Sequence, residues 1–210
     1  FEVRIVKKGD LHKDFLQSLD TESTRASSPP LMVYNKEKEK GARLWRQCTA
    51  DYKIEPIKRE IQKLRNGEHV EQMIGISLDE AHRMKPSRVK YMTNTYPLID
   101  LRMNRHDCLQ WIKTHNYQLP PKSACWFCPY MSNRRLRWMK DNTPEEWNKL
   151  VGFDHEIRQR QRQRLGGAKI TGDLYVHRDC IPIDQVDLTN DSDMGQMDMF
   201  GEECEGMCGL

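Results

Sequence analysis

The chain has 210 residues, 31% of them Asp, Glu, Lys or Arg, with seven cysteines and a formal net charge of +3. A chain of this length buries one good core, so a single domain with a tail is expected. No apolar run approaches the roughly 20 residues of a membrane span and no signal-peptide pattern opens the chain, so the expected location is the cytoplasm, with no membrane partner. The odd cysteine count and a tight CxxC argue against a complete disulfide framework and for thiolates as metal ligands or redox nucleophiles.

Phe1, Val3 and Ile5 alternate as a strand does, and Gly9-Asp10 leads into a short helix carrying Leu11, Phe15, Leu16 and Leu19. Residues 20–42 are rich in Ser, Thr, Pro, Lys and Glu without an apolar period, and read as a long mobile loop. Ile57, Ile61 and Leu64 share one helical face, which Asn66-Gly67 stops. A strand within 70–77 is followed by Ser77-Leu-Asp-Glu80, the spacing of a capping box for another helix. The next helix is predicted from near Asp107 through Leu109, Trp111 and Ile112, ending before Pro120-Pro121. Thr143-Pro144-Glu145-Glu146 opens a further one, running to Leu165 before Gly166-Gly167, and a short strand at 174–177 follows. Residues 179–210 then hold nine Asp or Glu and no Lys or Arg; removing that −9 from the total of +3 leaves +12 on 1–178. Such a basic body attracts phosphate-rich partners, nucleic acid among them.

Ser123-Ala-Cys125-Trp-Phe-Cys128-Pro129 is the sharpest local signal. Two thiolates at this spacing grip one metal while the intervening amides turn toward the sulfurs; a redox pair or two packed thiols fit the same spacing. Cys48 and Cys108 would complete a four-sulfur site, for zinc or for iron-sulfur, although Cys108 beside Trp111 also reads as a small buried side chain. Arg43, Arg46, Lys53, Lys58 and Arg59 flank Cys48 and could hold a phosphate or sulfate, or lower a thiol pKa. Glu80 and Arg83 fall on one helical turn, as a surface pair or at the mouth of an α/β sheet that collects nucleotides. Arg134, Arg135 and Arg137, and then Arg158, Arg160, Arg162 and Arg164, read either as solvated helix ends or as contacts to a nucleic-acid backbone. The same cysteines with these arginines also describe a zinc-stabilised nucleic-acid-binding module without catalysis. Cys204 and Cys208 lie in the acidic terminus, where carboxylates raise a thiol pKa unless the tail docks on the basic body.

In this order, most of residues 1–182 resembles the phosphoadenosine phosphosulfate reductase family and its relatives among the adenine nucleotide α-hydrolase-like, or PP-loop, enzymes. Cys48-Thr-Ala-Asp-Tyr-Lys53-Ile-Glu-Pro56-Ile57 is similar to the Cys-Cys-x-x-x-Lys-Val-x-Pro-Leu segment of the cluster-bearing reductases. Gly75-Ile-Ser-Leu-Asp-Glu80-Ala-His-Arg83 is similar to their Gly-x-Arg-x-x-x-Ser-x-x-Arg turn, and Tyr96-Pro97-Leu98-Ile99 to their Asn-Pro-Leu step. Ser123 to Cys128 matches their Gly-Cys-x-x-Cys-Thr step, and Glu203-Cys204-Glu-Gly resembles the C-terminal Glu-Cys-Gly whose Cys is the sulfur nucleophile. With Arg46 to Thr49 the sequence resembles the often phage-borne relatives that carry an Arg-Gln-Cys-Thr segment more than the sulfate-assimilation enzymes, and DNA-phosphorothioation sulfurtransferases join the same fold to an iron-sulfur centre.

The resemblance implies an α/β chain with a Rossmann-like sheet, a helical C-terminal region, a reductase-like domain over 1–182 and an acidic tail over 183–210. It implies a sulfur-transfer or redox enzyme that uses an adenine nucleotide, ATP or phosphoadenosine phosphosulfate, with a thioredoxin-like or other electron donor. Cys48, Cys108, Cys125 and Cys128 would hold a 4Fe-4S cluster, with zinc as the alternative. Arg46, Lys53, Glu80 and Arg83 would bind the nucleotide, and Cys204 or Cys208 would be the nucleophile. Thr49 stands in place of the second adjacent Cys, so the fourth ligand comes from elsewhere, Cys108 first and Cys180 or a tail Cys next. Ser77 replaces the first Arg of the nucleotide turn. The family's Ser-Gly-Gly-x-Asp-Ser phosphate loop and the first strand would precede Phe1, so a longer chain is expected.

Overall fold

The structure is a computed structural model that describes residues 3–20, 27–119, 125–160, 164–165 and 168–189. In chain order it forms α1 (Leu11–Asp20), β1 (Met32–Asn35), β2 (Lys40–Arg43), α2 (Glu55–Leu64), β3 (Val70–Met73), β4 (Met92–Thr95), α3 (Pro97–Asp100), α4 (Arg105–Thr114), α5 (Asn133–Asn142), α6 (Pro144–Gln159), β5 (Arg164–Leu165), β6 (Ala168–Lys169) and β7 (Asp173–Tyr175). A π-helical turn (Ala50–Ile54) precedes α2, and 3-10 turns span Leu78–Arg83 and Ile183–Gln185. The fold is mixed α/β, with small sheets and several helices. Among the described residues no helix is long and apolar enough to cross a membrane. The chain divides into two compact units, one of residues 1–56 with 124–210 and one of residues 57–123.

The first unit is built on the sheet β2-β1-β7, in which the central strand β1 pairs antiparallel on both sides, Met32 with Arg43 and with Tyr175. Phe15 and Leu19 of α1, Leu136 and Met139 of α5, Leu150, Phe153 and Ile157 of α6, and Leu174 of β7 fill one core with Leu31, Phe127, Val176 and Ile183. Each large side chain removed from water in this way contributes about 1.5–3 kcal/mol. Ser132 caps α5 by accepting the Arg135 amide at 3.3 Å. Asp154 of α6, fully buried, accepts the Val176 amide at 2.9 Å and the Ile183 amide at 3.0 Å, and pairs with Arg158 at 2.7 Å. One carboxylate thereby fastens the exit of β7 and the following 3-10 turn to the helix.

The second unit holds β3 and β4 as a parallel pair, Val70 opposite Met92 and Met73 opposite Thr95. Parallel neighbours need a crossover, supplied here by residues 74–91 with their 3-10 turn. The Tyr96 hydroxyl ties that crossover down, donating to the Lys85 carbonyl at 2.6 Å and accepting its amide at 2.9 Å. A capping box between Asn104 and Asp107 starts α4, two residues earlier than the predicted start near Asp107.

Four predicted features differ. Residues 3–8 form no strand, with Val3 and Ile5 exposed; among the described residues no strand pairs with them. Within 20–42 the structure has the hairpin β1–β2, closed by a turn in which Asn35 accepts the Lys38 amide at 2.9 Å. The Ser77 box does not form: its side chain makes no cap bond and the turn is 3-10, because the hydroxyl is taken by the Asp79 carboxylate. Helix α6 stops at Gln159, and of the described arginines after it Arg160 is its C-cap and Arg164 lies in β5, so neither continues the helix.

Candidate metal and thiol site

The segment 44–49 is hung on the stretch before β1. The amides of Gln47 and Cys48 both donate to the Ser28 carbonyl, at 3.1 and 3.3 Å, and Ser28 Oγ donates to the Trp45 carbonyl at 2.8 Å. This leaves Cys48 half-buried at the mouth of the π-helical turn, with Thr49 buried beside it. On the other side, Cys128 donates its amide to the Cys125 carbonyl at 3.1 Å, and Met131 donates to Cys128 at 3.1 Å, so the CxxC runs as a pair of tight turns. Phe127 is the anchor of that turn: it is buried, 4.9 Å from the Phe153 ring, while Trp126 meets it edge-on at 4.8 Å. His12 of α1 closes the cluster, 5.0 Å from Trp126 and 5.2 Å from Phe153. The two residues between the cysteines are thus packing residues, and the thiols are left at the edge of the core.

Cys48 and Cys125, distant in sequence, lie within electrostatic reach of each other. Burial pushes the Cys48 thiol up, and Cys125 adds to the rise; hydrogen bonds from the Thr49 side chain and amide, together with the Arg46 charge, oppose it without reversing it. A thiol held this way is protonated at neutral pH unless a cation or metal takes its proton's place. The donors around Cys48 are therefore complementary to a thiolate that burial alone disfavours. The donor chemistry fits a soft metal through Cys48, Cys125 and Cys128. Among the described residues, no three His, Cys, Asp or Glu side chains are drawn together closely enough to enclose one.

The remaining predicted site residues divide between the units. Arg46 and Lys53 accompany Cys48 in the first, Lys53 exposed on the π-helical turn. Glu80, Arg83 and Cys108 belong to the second. Arg83 pairs with Glu80 and is only 14% exposed, so the crossover turn holds its guanidinium on an acidic neighbour. Asp79 of that turn reaches the start of α4, accepting the Arg105 amide at 2.9 Å. Burial acts to raise its carboxyl, but hydrogen bonds from its own amide, the Arg105 amide and the Ser77 hydroxyl outweigh burial and hold it below the usual range. Burial, then the Asp79 and Asp107 carboxylates, push the Cys108 thiol up. Cys180, the second candidate for a fourth ligand, is half-buried with its backbone in the left-handed region at φ 55°. Cys204 and Cys208 lie outside the described residues, as does Arg162.

The arginine series is mostly employed within the protein. Arg158 serves Asp154 and lies 5.1 Å from the Tyr175 ring, and Arg160 pairs with Asp20 and Glu156. Arg135 lies 4.4 Å from the ring of Trp138. Tyr130, His177 and Arg178, which no motif marks, line a pocket with Arg43; the only sequence signal for it is Pro129-Tyr130 directly after the CxxC. Comparison with family models, with curated proteins and with solved structures finds no match to the chain.

Proposed function

We propose that the chain is a sulfur-transfer or redox enzyme of the phosphoadenosine phosphosulfate reductase type, in which Cys48, Cys125 and Cys128 hold a soft metal centre, iron-sulfur first and zinc as the alternative. What supports this reading is that the Cys48 thiol feels the charge of Cys125, distant in the chain, as well as Arg46 and the hydrogen bonds of Thr49 beside it. A chance CxxC accounts for neither the third thiol nor its basic and hydrogen-bonding company. The parallel pair β3–β4 with its crossover supports a Rossmann-like sheet fragment, and Glu80 and Arg83 lie in that crossover, where open α/β sheets bind nucleotides. An adenine nucleotide is the substrate class, Cys180 of the same unit the further ligand, and Cys204 or Cys208 the nucleophile.

When bound, an iron-sulfur cluster supplies an electron-transfer or polarising centre. The chain's own contribution is to stabilise the Cys48 thiolate through Thr49 and Arg46, and to hold the CxxC turn rigid through Phe127 and Trp126. The test is anaerobic purification with visible absorption and quantification of iron, acid-labile sulfide and zinc, repeated on Cys48→Ser, Cys125→Ser and Cys128→Ser. Iron with sulfide, lost in each variant, supports the cluster. A colourless protein with stoichiometric zinc overturns iron-sulfur, and metal content indifferent to all three substitutions overturns the site.

A further inference from the structure

Helix α4 ends in three exposed aromatic rings arranged as one stack. Trp111 lies in the last turn, and the stop that follows places its neighbours. Asn116 takes the left-handed conformation at φ 56°. Its amide donates to the Lys113 carbonyl at 3.1 Å, and the Tyr117 amide donates to the Ile112 carbonyl at 3.0 Å. This double closure is a Schellman stop. It turns the chain so that the Tyr117 ring comes back onto Trp111, with centroids 5.9 Å apart and planes within 12°. His115, the C-cap, stacks on the same indole at 4.0 Å and 20°. Its Nδ1 lies 2.8 Å from the Trp111 carbonyl, an acceptor, so Nδ1 holds a proton and the plane of the imidazole is fixed.

None of the three rings belongs to a core. Trp111 is 48% and Tyr117 63% exposed, and His115 is exposed as well. An apolar contact of Tyr117 on Trp111 is what a Schellman stop ordinarily brings; a third parallel ring, and an indole half in water, go beyond it. Rings already ordered offer flat π faces to a planar ligand without the cost of ordering them on binding. Nucleobases are planar groups that stack on aromatic side chains in a sequence-tolerant way, and the charge of the unit selects the polyanion that carries them. Residues 57–123 hold 12 Lys or Arg against 7 Asp or Glu, a formal +5. Arg105 and Lys113 of α4 are among those cations and are exposed. A duplex keeps its base faces inside the helix, whereas an unpaired strand can splay its bases onto aromatic side chains.

We infer that the end of α4 is a base-stacking site for single-stranded nucleic acid, with Trp111 as the ring on which His115 and Tyr117 both stack, and with the basic surface of the same unit attracting the phosphates. The site lies wholly within residues 57–123 and does not depend on a metal at the cysteines.

Fluorescence anisotropy of a labelled oligothymidine strand, titrated with the full chain, tests it beside an abasic strand of equal length and the matched duplex. The strand with bases is expected to bind about tenfold or more tighter than the abasic strand. Trp111→Ala and Tyr117→Ala should each weaken strand binding by about fivefold or more, the equivalent of one lost stacking contact. Trp111→Phe, which keeps a ring, should recover part of that loss. None of these variants should move abasic binding or the slope of affinity with salt, because stacking takes no phosphate. Both residues are exposed, and Tyr117, beyond the helix, gives a second variant should Trp111→Ala loosen α4. Equal affinity for the strand and the abasic strand, or for the strand and the duplex, overturns the proposal, as do alanine variants that bind the strand like wild type. Adenosine 5′-monophosphate bound as tightly as the strand, and lost in Trp111→Ala, overturns the strand as ligand in favour of a mononucleotide. A polyproline peptide bound more tightly than the strand, again through Trp111, overturns it in favour of a protein segment.

Discussion

Asp154→Asn is a change of one atom in a carboxylate that is 0% exposed, and its effect follows from counting donors. All three partners are donors: the Val176 amide on Oδ1, and the Ile183 amide and Arg158 on Oδ2. A carboxylate only accepts, whereas an Asn amide presents one accepting oxygen and one NH₂. Turned one way, the NH₂ confronts Ile183 and Arg158; turned the other way, it confronts Val176. At least one buried amide therefore loses its acceptor, at about 1–3 kcal/mol, and the surviving bonds lose their charge, for a total of about 2–4 kcal/mol. Asp154→Ala leaves all three donors unpaired, Arg158 included, and should cost about 4–5 kcal/mol. Against a typical domain stability of about 5–15 kcal/mol, the alanine variant is expected at the edge of folding. Urea denaturation followed by circular dichroism, with the midpoint shift read at constant m, measures both. An Asn variant within about 0.5 kcal/mol of wild type would refute the donor count.

Gly172→Ala should destabilise by about 1–3 kcal/mol, because a Cβ there falls 2.4 Å from the Tyr34 carbonyl oxygen and 2.7 Å from the Asn35 nitrogen, both backbone; Gly152→Ala, in open space on α6, should instead raise the urea midpoint by the equivalent of about 0.5–1 kcal/mol. Burial, the largest influence on each, holds His12 and His177 below the ordinary imidazole pKa. The unfolded chain thus takes up protons first, so stability is complete above about pH 6.5 and declines as the pH falls below it; a flat urea midpoint between about pH 5 and 7 contradicts this, and His177→Gln should flatten the slope. Arg160→Ala removes exposed pairs with Asp20 and Glu156 and should change stability by no more than about 1 kcal/mol, as thermal melting would register.

Periodicity and caps made α1, α2, α4 and α6 legible, since each announces itself within a few turns: Phe15 and Leu19 on one face, Asn66-Gly67 as a stop, Thr143-Pro144 as a start. Even there, pattern predicted the helix better than its burial, for Ile57 and Leu64 of α2 are 41% and 50% exposed. The hairpin was hidden because β2, Lys40–Arg43, is exposed throughout and is held as a strand only by its pairing with β1. Ser77 shows a local competition that spacing does not resolve, as its hydroxyl bonds the Asp79 carboxylate and makes no cap bond to the turn. At the site, the two turns of the CxxC are local and readable. The influence of Cys125 on Cys48 is long-range and no window contains it; the sequence offered Cys48 only as one more thiol, and the resemblance over the chain gave it a place beside the CxxC. The pocket that Arg43 and Arg178 line draws its residues from distant parts of the chain, which explains why no motif marked it.

The sheet β2-β1-β7 has a consequence for synthesis. Its central strand leaves the ribosome before β7, which covers one edge of it and is made only after the whole of residues 57–123 and both α5 and α6. Until then β1 offers an unpaired row of amides and carbonyls to any neighbouring chain, and the core that α1 must share with α6 does not exist. The second unit, continuous in sequence with its parallel pair closed by a short crossover, can form while the first waits. A nascent chain stalled before β7 would therefore carry one finished unit and one open sheet edge, which makes the stretch from Asp173 to Leu188 the step that commits the protein to its native state.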